Sequence, residues 1–137
     1  PRIVEGIYDN NEQGGLGELI KQTDSTEMNK INISESDMSI LQQGFYQVSH
    51  GTSALTTGRA FSNGAAVSIS GKTGTAESYV ADGQQATNTN AVAYAPSDNP
   101  QIAVAVVFPH NTNLTNGVGP SIARDIINLY NQHHPMN

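Results

Sequence analysis

One short run holds the residue types from which a ligand site is built: Ser70-Gly71-Lys72-Thr73-Gly74-Thr75-Ala76. Lys72 brings a fixed positive charge for a substrate carboxylate. Thr73 and Thr75 bring hydroxyls that can hydrogen-bond a carboxylate. Gly74 has no Cβ, so a ligand backbone can lie against the chain there. Side chains alternate along a strand, which puts Thr73 and Thr75 on one face and Lys72 on the other. All three reach one ligand only if it lies along the strand's edge. The strand is therefore expected at a sheet edge, where substrate adds through main-chain hydrogen bonds. The N–H of Thr75 would then serve as an oxyanion-hole donor.

Four regions must position this run. Residues 1–8 read as a short strand, Asp9-Asn10-Asn11 as a turn, and Gly14-Gly15-Leu16-Gly17 as a flexible crossing into a polar surface excursion ending near Asn32. A helix follows, capped by Ser34 or Ser36, with Met38, Leu41, Phe45 and Val48 at spacings of 3, 4 and 3. Gly51 is expected as its left-handed stop, and Gly44 as a point of close packing. The third region is strand-rich. Asn63-Gly64 reads as a hairpin-type turn before a strand from Ala65 to Glu77, and Asp82 to Thr89 as a longer loop. Two further strands, Asn90–Ala95 and Ile102–Phe108, flank the turn Pro96–Pro100. Ile102, Val104, Val106 and Phe108 share one side of the last strand. Its alanine side is expected to admit a covering helix. That helix starts near Pro120, shows Ile122, Ile126, Leu129 and Tyr130 on one face with Ile127 at its margin, and ends before Pro135. Strands followed by a helix laid across them predict a layered α/β sandwich with antiparallel strands.

Composition bounds the function. The 137 residues carry 6 Lys+Arg against 12 Asp+Glu, a net charge of −6, which excludes a basic nucleic-acid binder. The apolar run from Ile102 to Phe108 is far too short to cross a bilayer. Cysteine is absent, so there is no thiol nucleophile and no disulfide. His50, His110, His133 and His134 lack metal-ligand spacing, and neither a metal nor a cofactor is expected. Asn32-Ile33-Ser34 and Asn113-Leu114-Thr115 fit a glycosylation pattern, which chance explains in a chain with 14 Asn, 12 Ser and 11 Thr. The first residue is Pro1, and the chain is read as a piece of something larger.

A Lys-Thr-Gly triplet is one element of the serine β-lactamases and penicillin-binding proteins. The chain resembles, over its whole length, the C-terminal third of the transpeptidase domain of class B penicillin-binding proteins. The resemblance rests on residues 1–4, Gln42-Gln43-Gly44-Phe45-Tyr46-Gln47-Val48, Gly51-Thr52, the run from Ser70 to Glu77, and the strands Ala91–Pro96 and Ile102–Phe108. It implies the C-terminal part of a three-layer sandwich with an antiparallel sheet, spanning 1–137 without its nucleophile-bearing part. It implies peptidoglycan cross-linking: a serine is acylated by the D-Ala-D-Ala end of a stem peptide, and the acyl group passes to an amine. β-Lactams stall the first step. Lys72 resembles the lysine that organises the cleft. Thr73 and Thr75 resemble the carboxylate anchors beside Gly74, and the Thr75 N–H half of the oxyanion hole.

The family's nucleophile lies in a Ser-x-x-Lys element, and no serine here is followed three residues later by lysine. Ser97-Asp98-Asn99 spells the family's middle element but comes after Lys-Thr-Gly, beside Pro100, and reads as a plain turn. The chain is therefore expected to be inactive alone. Its expected partners are the remainder of the same domain, a peptidoglycan stem peptide and β-lactams. The resemblance implies the outer face of the cytoplasmic membrane, with the anchor in a part not in this chain. Two alternatives stand beside this reading. One is a serine β-lactamase or D,D-carboxypeptidase of the same fold; the other is a non-catalytic extracellular binding module with a fortuitous triplet.

Overall fold

A computed structural model describes residues 3–113 and 117–137. The chain divides into two compact units, residues 1–33 and 34–137. The first is a hairpin of β1 (Gly6–Asn10) and β2 (Leu16–Gln22), antiparallel, with Gly6 opposite Gln22 and Asn10 opposite Leu16. The turn begins later than the sequence suggested: Gly14 N–H donates to Asn11 O at 2.9 Å, and Gly14 takes a φ of 83°. The expected flexible crossing is thus partly a second strand. Leu16, Leu19 and Ile20 supply it with apolar residues that the surrounding glycines and charges mask in the sequence.

The second unit holds α1 (Glu35–His50), α2 (Arg59–Ser62), β3 (Ser70–Tyr79), β4 (Gln85–Ala95), β5 (Ile102–Asn111) and α3 (Val118–His133). Ser34 caps α1: its Oγ accepts the Asp37 N–H at 3.1 Å and donates to Asp37 Oδ2 at 2.7 Å. Gly51 ends this helix without the left-handed turn, at φ −59°. Glycine is required there for space instead, because a Cβ would come within 2.5 Å of Gln47 O and 2.8 Å of Thr56 Oγ1. A Cβ on Gly44 would meet nothing within 4 Å, so the close packing expected at that position is not found. Asn63-Gly64 closes the short helix α2 rather than a hairpin, with Gly64 at φ 81°.

β3, β4 and β5 form an antiparallel sheet in that order. The β3–β4 turn is tight, with Gly83 N–H donating to Val80 O, and β4 already begins at Gln85. The polar segment to Thr89 is therefore strand, paired through Thr75↔Thr89 and Glu77↔Thr87. Ser97, Asp98 and Asn99 lie in the turn after the cis Ala95–Pro96 bond, as expected; Ser97 Oγ pairs with Ser70 Oγ at 2.9 Å.

Helices cover both sides of this sheet, α1 against β3 and α3 against β4 and β5. The core lies under α3: Phe61, Ile69, Ala91, Ala95, Ala123 and Ile127 are almost completely buried, with Ile102, Val104 and Val106 packed against them. This reverses the expectation for β5, since the helix sits on the valine side. The small residues that admit it are Ala91, Ala93 and Ala95 of β4, and Gly119 approaches Ala91 so closely that a Cβ would lie 3.1 Å from it. Its buried stripe accordingly runs through Ala123 and Ile127, while Ile122, Ile126 and Leu129 stay exposed. The pattern Asn113-Leu114-Thr115 extends outside the described residues.

Candidate active site

β3 is an edge strand, paired with β4 alone among the described residues. Its register fixes the faces. Thr73 sits opposite Ala91 and Thr75 opposite Thr89, on the side that carries α3. Lys72 sits opposite Val92, on the side where Phe45 of α1 meets Tyr94 edge-on with ring centroids 6.1 Å apart. The two threonines and the lysine therefore flank one free strand edge from its two sides.

Each side opens into a cleft. The threonine side borders a cavity of 360 Å3 between loop residues Thr56 and Thr57, β3 residues Thr73, Gly74 and Thr75, and the start of α3 at Pro120. The lysine side borders a 300 Å3 apolar groove formed with Ile40, Leu41, Phe45 and Val48. Lys72 Nζ donates to the Thr73 carbonyl at 2.5 Å. No ion pair to Lys72 occurs among the described residues, which leaves its charge available to a ligand.

The two glycines of the run serve different ends. A Cβ on Gly71 would meet the Phe61 ring at 2.8 Å and Val92 O at 2.9 Å, so the core demands glycine. A Cβ on Gly74 would meet only Asn90 Cβ at 3.7 Å, an ordinary contact. Nothing in the chain's own packing calls for glycine at 74.

Sequence reasoning missed the loop from Thr52 to Gly58, which supplies the far wall of the threonine cleft. It is held firmly: the Arg59 guanidinium donates to Thr52 O and Ser53 O, and Gly58 N–H donates to Val48 O. Thr57 Oγ1 lies 3.0 Å from Thr73 Oγ1. The only signal in the sequence is a hydroxyl-rich stretch, Thr52-Ser53-Ala54-Leu55-Thr56-Thr57, ahead of the strand. Among the described residues no group of His, Asp and Glu is arranged to hold a metal.

The family described as penicillin binding protein transpeptidase domain matches residues 1–128. Penicillin-binding protein 2B of Streptococcus pneumoniae is 88% identical over 137 residues, all of this chain and 20% of that protein. The solved structure of penicillin-binding protein 2B from S. pneumoniae strain R6 superposes with a TM-score of 0.83, covering 100% of this chain and 22% of that one. The protein of the same name from strain 5204, 76% identical, gives 0.74 over 98% of this chain and 20% of that one. The chain thus spans about a fifth of the length of these relatives. On the match to nearly all of its residues, the chain belongs to the penicillin-binding protein transpeptidase family and forms a segment of that domain.

Proposed function

We propose that this chain forms the Lys72-Thr73-Gly74 wall of a serine D,D-transpeptidase that cross-links peptidoglycan and is acylated by β-lactams. The remainder of the domain supplies the nucleophilic serine, and the chain is inactive without it. The observation that carries this reading is the free edge of β3, with Thr73 and Thr75 on one side and Lys72 on the other.

A stem peptide lies along that edge as an added strand. Its terminal carboxylate is held by the Thr73 and Thr75 hydroxyls, and the ammonium of Lys72 adds attraction and steadies the serine hydroxyls of the missing part. The serine oxygen attacks the carbonyl carbon of the penultimate D-Ala, and negative charge develops on the carbonyl oxygen. The Thr75 N–H donates to it as part of the oxyanion hole. One feature supports that assignment: the Thr73 carbonyl bonds to the Lys72 side chain rather than lying hidden under β4. In an antiparallel strand, the N–H and C=O of one residue face the same edge, as do those two residues on. Collapse of the intermediate breaks the peptide bond, terminal D-Ala leaves with a proton, and an acyl-enzyme remains. An amine of a neighbouring strand then takes the acyl group and the serine recovers its proton. The site faces outward from the cytoplasmic membrane, anchored through a part outside this chain.

Labelling with a fluorescent penicillin, followed by a denaturing gel, tests this. Label is expected on the polypeptide that carries the serine, with acylation slowed roughly 100-fold or more by Lys72→Ala. Undiminished labelling of that variant would refute the role of Lys72. Label on this chain by itself would refute the claim that it lacks the nucleophile.

A further inference from the structure

We propose that Thr57 is a positioning residue for the carboxylate anchor: it sets the direction of the Thr73 hydroxyl proton. The inference rests on the transpeptidase reading above and concerns a residue outside the Lys-Thr-Gly run.

Thr57 Oγ1 and Thr73 Oγ1 are 3.0 Å apart, a hydrogen-bonding separation for two hydroxyls, and both line the 360 Å3 cleft. Each hydroxyl has one proton, so in the empty site either oxygen can be the donor. A bound carboxylate removes that freedom. Being ionised, it only accepts, so Thr73 must turn its single proton toward the ligand. The bond between the threonines persists only if Thr57 donates into Thr73. Donation into Thr73 Oγ1 also polarises the outgoing O–H and strengthens the bond to the carboxylate.

The surroundings of Thr57 suit this task. Thr57 leads directly into Gly58, whose N–H is bonded to Val48 O at 3.1 Å and whose Cβ, if present, would lie 2.7 Å from that same carbonyl. On the other side Thr56 N–H is bonded to Ser53 O. Both neighbours of Thr57 are tied by main-chain bonds, so its hydroxyl is presented to Thr73 from a fixed backbone. Preorganisation of this kind keeps the cost of ordering the donor out of the binding step.

The test is the ratio of acylation rate constants for a penicillin and its methyl ester, measured on the complete transpeptidase domain. The ester keeps the reactive ring but has no carboxylate charge. Thr57→Val keeps the shape and removes the donor; it is expected to lower the acid-to-ester ratio roughly tenfold. Thr57→Ser, which restores a hydroxyl, is expected to return the ratio to within about twofold of the parent. The ratio is taken within one protein sample, so partial misfolding cancels. Equal slowing of acid and ester in Thr57→Val, or an unchanged ratio, would overturn the inference. A parent domain that no penicillin acylates would instead refute the transpeptidase reading itself.

Discussion

The two faces of the β3–β4–β5 sheet are built to different degrees of completion. Under α3, Phe61, Ile69 and Ile127 have no exposed surface at all, and small residues on β4 let the helix settle against the strands. On the α1 side, Val92 is 47% and Val107 63% exposed, and Phe45, Tyr94, Ala103 and Ala105 border an open cavity of 400 Å3. A sheet with apolar residues on both faces ordinarily buries both. The closed face therefore holds β3 in place, while the open face carries Lys72 and, on the reading above, receives the rest of the domain. The strand that carries the Lys72-Thr73-Gly74 run belongs to both faces, with Thr73 on the side of α3 and Lys72 on the side of α1.

The largest effect is expected from emptying the closed face. Phe61→Ala removes a ring that touches the Gly71 position from below and is expected to destabilise the domain by about 3–5 kcal/mol. Urea unfolding of the complete domain measures this. A loss below 1 kcal/mol would mean that α2 and its phenylalanine are not a support of β3.

A sharper division lies within the triplet's own neighbourhood, between its two glycines. Gly71→Ala forces a methyl into the Phe61 ring and the Val92 carbonyl, and is expected to cost about 1–3 kcal/mol. Gly74→Ala meets no such obstacle, and its stability is expected to stay within about 0.5 kcal/mol of the parent. Its penalty should appear in penicillin acylation, where a Cβ stands between the strand edge and the ligand. Thermal melts and labelling of the two variants should therefore rank them in opposite orders. Matching rankings would place the two glycines in one structural role.

This division was only partly legible in the sequence. Alternation along Lys72, Thr73 and Thr75 was enough to place them on opposite faces of a strand, because the period of a strand does not depend on its surroundings, and the need for one ligand to reach all three pointed to a sheet edge. α1 and α3 were legible as helices and α2 was not, and the face read for α3 was centred on Ile122 and Ile126 with the buried Ile127 only at its margin. Close packing selects by separation as well as by hydrophobicity: Gly119 and Ala123 lie inward because β4 offers alanines there. The polar start of β4, Gln85-Ala86-Thr87-Asn88-Thr89, reads as a loop because pairing with β3 across a tight turn, rather than an apolar pattern, makes it a strand. Nothing in the hydroxyl-rich stretch ahead of the strand singles out Thr57. Its meaning lies in a 3.0 Å contact with a residue sixteen positions later, which no local pattern encodes.

The smallest expected effect isolates the open face most cleanly. Valine and threonine have nearly the same shape and both favour strands, so Val→Thr exchanges a methyl for a hydroxyl and changes little else. Val104 and Val107 lie on the same strand, three residues apart and on opposite faces. Val104 packs against the core, where a new hydroxyl must find a partner or be desolvated; Val104→Thr is expected to cost about 1–3 kcal/mol. At Val107 the hydroxyl meets water, and Val107→Thr should leave stability within about 0.5 kcal/mol. Melts of this chain by circular dichroism compare the two. The same Val107→Thr chain should associate less in light scattering, because it shrinks an exposed apolar patch. In the completed domain the balance should shift: if the missing part covers this face, Val107→Thr acquires a cost approaching that of Val104→Thr. A Val107→Thr domain as stable as its parent would leave Val107 outside any covered surface and confine the docking area to the groove beside Lys72.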